Sequence, residues 1–212
     1  MPPLPTASKC LLELSLPGPH PDPPSDLHQR ALPLIAALGP WIRSHVRGYG
    51  PIFFGRSGQT RFDALAGQYG VMYVAVDAHG AFIETFGRRL GYGLLNFRDF
   101  VTRELSAIAT SRPLSLVDLT GPGLSIVGAD SRLASGDYDV ARRWALAFFE
   151  HPDQPDGLLY RSRHDPSRFC AAIFDRAANA LTATSLGSLA DARHTVLLAD
   201  LLDTYGYALI DP

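Results

Sequence analysis

The chain has 212 residues, 46% of them apolar, a mean hydropathy of +0.03 and a net charge of −2, which fits one soluble domain with a sizeable core. That charge, with no Lys- or Arg-rich run, gives nucleic acid no basic field to find. No stretch approaches the ~20 apolar residues of a membrane span. Cys10 and Cys170, far apart and without metal-like spacing, form no disulfide framework, so a reducing cytoplasm is the expected compartment.

Residues 1–30 are proline-rich, with Pro17, Pro19, Pro21, Pro23 and Pro24 close together. Proline fixes φ and lacks the N–H, so this part reads as an extended arm. A short helix is predicted near Ser25–Leu38, ended by Gly39-Pro40, and one domain occupies 31–212. Val71–Asp77 is rich in β-formers and reads as a buried strand. Ala78–Leu90 reads as a helix, with Phe82 and Phe86 four apart on one face and Glu84 turned roughly the other way. Leu114–Leu119 is a second strand before the Gly121-Pro122-Gly123 turn. Asp137 is placed to N-cap a helix running to Glu150, with Tyr138, Ala141, Ala145 and Phe148 as its buried stripe. A loop at His151–Gly157 leads to strands at Leu158–Ser162 and Phe169–Phe174. Thr195–Tyr205 is a final helix. Strands and helices mix without regular βαβ alternation, which predicts an α+β fold.

Among residues able to carry chemistry, Glu84 stands in an apolar helix turn just after a strand. The common fate of such a Glu is a solvated helix face. In a cleft, its carboxylate would stabilise positive charge developing on a ribose. Arg43 is a surface ion pair or a pyrophosphate clamp, and Arg61 is a second candidate for that clamp, with Arg47 and Arg56 competing. Tyr73 is a core tyrosine or a wall for a nucleotide ring. Ser162, between Arg161 and Arg163, is a turn residue or part of an anion-binding pocket. Ser162, His164 and Asp165 are sequence neighbours, unlike triads that converge from separate segments, and no Gly-x-Ser-x-Gly elbow is present. Gly121-Pro122-Gly123 lacks the dinucleotide fingerprint, nothing matches a P-loop, and the seven histidines show no metal-binding spacing.

Taken in order, Trp41-Ile42-Arg43-Ser44-His45, Arg61-Phe62-Asp63, Tyr69 to Ala75, Ala81-Phe82-Ile83-Glu84-Thr85-Phe86, Asp156 to Asp165 and Ala171 to Arg176 resemble the RES-domain family, named for Arg, Glu and Ser positions. The resemblance covers roughly residues 40–180. It implies a mixed sheet with flanking helices, similar in fold to ADP-ribosyltransferases of the diphtheria-toxin type. It further implies destruction of NAD⁺ by phosphorolysis or hydrolysis, and a toxin partnered by an Xre-like antitoxin. Carried over, Arg43, Glu84 and Ser162 are the name-giving trio, with Arg61 and Tyr73 beside them. On that reading NAD⁺ is the substrate, inorganic phosphate a candidate co-substrate, and no metal takes part. Any DNA contact then comes through the partner, and exposed apolar surface would serve the antitoxin or a homodimer. The residue before Arg43 is Ile42 where the family has an aromatic, so Arg43 and Arg61 stay open as the main clamp. Two alternatives accompany this reading: mono-ADP-ribosylation of a protein, and a partner- or nucleotide-binding module with little turnover.

Overall fold

The computed structural model describes residues 18–89 and 93–210. Residues 1–17 of the arm and Leu90, the expected end of the first helix, lie outside the described residues. In chain order the elements are β1 (Leu34–Ala37), β2 (Trp41–Val46), β3 (Val71–Ala75), α1 (Ala78–Phe86), β4 (Leu94–Asn96), α2 (Phe97–Val101), β5 (Arg103–Thr110) and β6 (Leu114–Leu119). They continue with α3 (Pro122–Val127), α4 (Arg132–Ser135), α5 (Tyr138–Phe149), β7 (Gly157–Arg161), β8 (Phe169–Phe174), β9 (Leu181–Gly187), α6 (Thr195–Tyr205) and β10 (Ala208–Ile210).

Eight strands form one sheet in the order β1-β6-β7-β8-β3-β2-β5-β9. Only β6 and β7 run parallel within it, so the sheet is mixed. A small parallel pair, β4 with β10, stands apart. Alternation along the central strands sends residues to two separate cores. Met72, Val74, Ala171 and Ile173 face one, together with Trp41, Ile108, Leu114 and Leu116. Val71, Ala75, Cys170, Ala172 and Phe174 face the other, where Ala141, Trp144, Ala145 and Phe148 of α5 cover the sheet. A third cluster joins Phe82 and Phe86 of α1 to Phe100 of α2, Leu105 of β5, and Leu198 and Leu201 of α6. The α+β class, a mixed sheet with flanking helices, is therefore the observed one.

Locally encoded elements form where the sequence places them. Asp137 caps α5, its Oδ1 accepting from Asp139 N at 2.6 Å and Val140 N at 3.4 Å. The expected helix at Ser25–Leu38 does not form. Its first half holds one 3₁₀ turn, Leu27–Gln29, and Leu34–Ala37 is extended as β1. Pro33 cannot supply a helical N–H. The helix-prone Leu34-Ile35-Ala36-Ala37 run instead gains a full antiparallel partner in β6, from Leu34↔Val117 to Ala37↔Leu114. Tertiary pairing overrides propensity here. The described part of the arm lies against the α5 side: Leu27 is buried in that core, and Trp144 Nε1 donates to Pro21 O at 2.9 Å. Among the described residues no helix is long and apolar enough to cross a membrane.

Candidate active site

The site arises from an incomplete seam in the sheet. β2 pairs with β5 along its whole length, from Trp41↔Ile108 to Val46↔Arg103, and β3 pairs with β8 at every residue from Val71 to Ala75. Between β2 and β3 only Ile42↔Ala75 is in register. Beside that contact lies a cavity of about 330 Å³, lined by Arg43 and Ser44 of β2, Tyr73 of β3 and Glu84 of α1. Thr60 and Arg61 from the β2–β3 connection, Tyr138 of α5, Tyr160 of β7 and the Arg163-His164 turn add to the wall. Its size falls in the lower part of the roughly 300–1,000 Å³ typical of small-molecule sites.

Phe82 and Phe86 anchor α1 in the third cluster, at ring-centroid distances of 6.3 and 4.8 Å from Phe100. That anchoring leaves Glu84 half-buried on the cavity side. Its Oε1 is buried and has no hydrogen-bond partner. Arg43 Nη1 is also buried without a partner, and burial lowers the guanidinium to about 10, still charged at neutral pH. Arg61 is 7% exposed. Its Nη1 donates to Gly136 O at 2.8 Å, its Cζ lies 4.4 Å from the Tyr138 ring centroid, and its Nη2 is unpartnered. Burial lowers its pKa as well. The Tyr73 hydroxyl accepts from Phe62 N at 2.8 Å and is hydrogen-bonded to Thr60 Oγ1 at 2.9 Å, and burial raises its pKa, so it stays protonated.

The structure thus brings Arg43, Arg61, Tyr73 and Glu84 to one cavity. Ser162 is placed differently. It is 1% exposed, and its Oγ accepts from His164 N at 3.1 Å and Asp165 N at 3.3 Å. It shapes the turn that presents Arg163 and His164. His164 Nδ1 is buried without a partner, and burial pushes the imidazole below its usual range, toward the neutral form. Arg47 and Arg56 are engaged elsewhere, with Glu104 and Asp175. Arg88, Arg103, Tyr138, Tyr160, Arg163 and His164 also line the cavity. The sequence signal for Tyr160, Arg163 and His164 was their position flanking Ser162. Arg88, Arg103 and Tyr138 carried none.

Two features set the chemistry. Five arginines line the cavity against one carboxylate, Glu84, a field that favours an anionic ligand. Among the described residues six side chains hold a buried polar atom without a partner, and four of them, Arg43, Arg61, Glu84 and His164, line this cavity. Each such atom costs about 1–3 kcal/mol, more when charged, so their convergence on one space calls for a ligand.

A family model described as the RES domain matches residues 37–193, which include every cavity residue named above. The chain belongs to the RES-domain family. The probable toxin y4kH of Sinorhizobium fredii (strain NBRC 101917 / NGR234) is 29% identical over 106 residues, 50% of this RES chain and 81% of that protein. A chain from the crystal structure of the M. tuberculosis MbcT–MbcA toxin–antitoxin complex superposes with a TM-score of 0.61 at 16% identity, covering 85% of this chain and 98% of that one. At that identity the likeness is one of fold.

Proposed function

We propose that this RES-domain protein cleaves the nicotinamide–ribose bond of NAD⁺ and is the toxin of a toxin–antitoxin pair. The observation that carries the reading is the set of unpartnered groups at the cavity: two guanidinium groups, a carboxylate and an imidazole. A dinucleotide with a pyrophosphate and a ribose bearing a cationic nicotinamide ring meets the demands of the guanidinium groups and the carboxylate. Arg43 and Arg61 take the pyrophosphate through charge-assisted bonds. Tyr73, held by Thr60 and Phe62, forms a wall of the nicotinamide side. Nicotinamide leaves as a neutral base, taking the electron pair of the C1″–N bond, so the departure needs no general acid. Glu84 stabilises the positive charge that develops on the ribose. The incoming oxygen comes from inorganic phosphate, giving ADP-ribose-1″-phosphate, or from water, giving ADP-ribose. The arginine-rich lining draws phosphate as it draws the dinucleotide.

The toxin assignment is supported by the family and by two relatives, one named a probable toxin and the other crystallised in a toxin–antitoxin complex. The partner implied is a protein antitoxin, of the Xre-like type that the RES resemblance implies.

The test is incubation of partner-free protein with NAD⁺, with and without phosphate, reading free nicotinamide and the ribosyl product. Release that rises with phosphate identifies phosphorolysis, and release indifferent to phosphate identifies hydrolysis. Labelled ADP-ribose found on protein moves the acceptor to a side chain. No nicotinamide from demonstrably folded protein sinks the reading.

A further inference from the structure

We infer that Arg168 is a positioning residue for this site, fixing the helix that bears Glu84 against the turn that bears Arg163 and His164. The inference rests on reading the cavity as the NAD⁺ site. β7 and β8 are joined by a short loop, closed by Ser162 N donating to Arg168 O at 3.0 Å and Arg168 N donating to Asp165 O at 2.9 Å. The Arg168 guanidinium then reaches in two directions. Nη1 donates to Asp77 Oδ2 at 2.9 Å, and Nε donates to Asp165 Oδ2 at 3.2 Å.

Both carboxylates already hold backbone. Asp77 Oδ1 accepts from Gly80 N at 2.7 Å, capping α1 at its N-terminus. Asp165 Oδ1 accepts from Ser167 N at 3.0 Å, and its Oδ2 also accepts from the Tyr205 hydroxyl of α6 at 2.9 Å. Arg168 therefore joins the cap of α1 to the loop. The segments also approach at two glycines. A Cβ on Gly87 would lie 2.9 Å from His164 Cγ, so the close approach there needs glycine, while Gly80 faces Arg168 Cβ at an ordinary contact distance, 3.6 Å from where a Cβ would stand. These glycines are about two helical turns apart, with Glu84 between them. α1 thus touches the loop at both ends of the segment that presents its carboxylate.

Half-exposed ion pairs add little to stability, so the use of this network is placement. Ser162 serves the same end from inside the loop, its Oγ fixing the backbone of His164 and Asp165.

The experiment is a double-mutant cycle between Arg168→Met and Glu84→Gln, read as nicotinamide release, with melting temperature followed alongside. Arg168→Met is expected to lower kcat roughly tenfold while KM stays within about twofold, because a misplaced carboxylate loses stabilisation only in the transition state. In the Glu84→Gln background it should cost almost nothing more, since the group it positions is gone. Arg168→Lys, able to meet one carboxylate at a time, should recover part of the rate. An unchanged kcat in Arg168→Met, or losses that multiply in the double variant, would overturn the inference. Silence from the wild-type protein would instead remove the proposed function. Amide exchange of residues 78–86 and 162–168 then decides the positioning claim: faster in both segments of Arg168→Met upholds it, and unchanged rates reject it.

Discussion

β3 meets its two neighbours on unequal terms. Against β8 it is paired at five positions, from Val71↔Phe174 to Ala75↔Cys170, and Ala171, Ala172, Ile173 and Phe174 are fully buried. Against β2 it is paired at Ile42↔Ala75 alone. One seam satisfies its own backbone and packs apolar side chains on both faces. The other gives up pairing, and arginines, a glutamate and a histidine gather where it opens. A sheet can therefore make a binding site by leaving one of its own ladders unfinished. The groups there raise the energy of the free protein and are kept for what they bind.

The largest effect should come from the closed seam. Ile173→Ala removes a fully buried side chain and should cost about 3 kcal/mol of unfolding free energy, measured by urea denaturation. A loss under about 1 kcal/mol would mean that the seam is less tightly packed than described. At the open seam the same size of effect should fall on turnover. Glu84→Gln should slow nicotinamide release by roughly 10²-fold, about 3 kcal/mol of transition-state stabilisation, with its melting temperature unmoved. A parallel fall in melting temperature would make Glu84 a structural residue.

Arg43→Met should sharpen the contrast by moving stability and binding in opposite directions. It replaces an unpartnered, desolvated cation with an apolar side chain, and should stabilise the free protein by about 1 kcal/mol while weakening NAD⁺ binding. Calorimetry and titration on one preparation check both halves. The smallest effect concerns His164. Burial lowers its folded pKa below the ordinary 6.5, so as pH falls through that value the unfolded chain binds more protons than the folded one. Its contribution is therefore a loss of stability on acidification from about pH 7 downward. His164→Gln should flatten that part of the stability–pH curve, and an unchanged slope would mean that the imidazole titrates as in water.

Elements with local punctuation were legible in the sequence. Asp137 marks the start of α5, the Phe82/Phe86 spacing marks α1, and β6, β8 and α6 have the boundaries their residues predict. Elements decided by distant partners were not. β2 and β5 owe their strand state to each other, and β9 owes its own to β5. β1 defeated a helix prediction because β6 lies beside it. The site divides in the same way. Arg43, Arg61, Tyr73 and Glu84 sit within motifs that resemble the RES pattern, and the fold brings them together. Ser162 belongs to the same pattern, and its Oγ accepts from two backbone N–H groups, a use that only the course of the following loop reveals. Tyr138 read as part of a buried stripe, whereas its ring lies under Arg61 at the cavity wall.

Residues 18–30, the described part of the arm, are held in large part by what every amino acid carries. Gly18 O accepts from Arg132, Pro21 O from Trp144, and Leu27 O and Arg30 O from Nε2 of His151. His151 Nδ1 accepts from Asp153 N, which fixes the ring as the donor tautomer toward the arm. The body thus recognises the route of the main chain. Four kinds of side-chain contact add to this: Leu27 is buried, Asp22 meets Arg143, Asp26 pairs with Arg30, and the His20 ring accepts from Asp130 N and packs edge-on against Trp144. Substitutions elsewhere along residues 18–30 that preserve the extended course should be tolerated. Constraint falls on the receiving side, where Trp144 and His151 have no equivalent replacement. A segment of this kind can drift in composition while its path stays fixed.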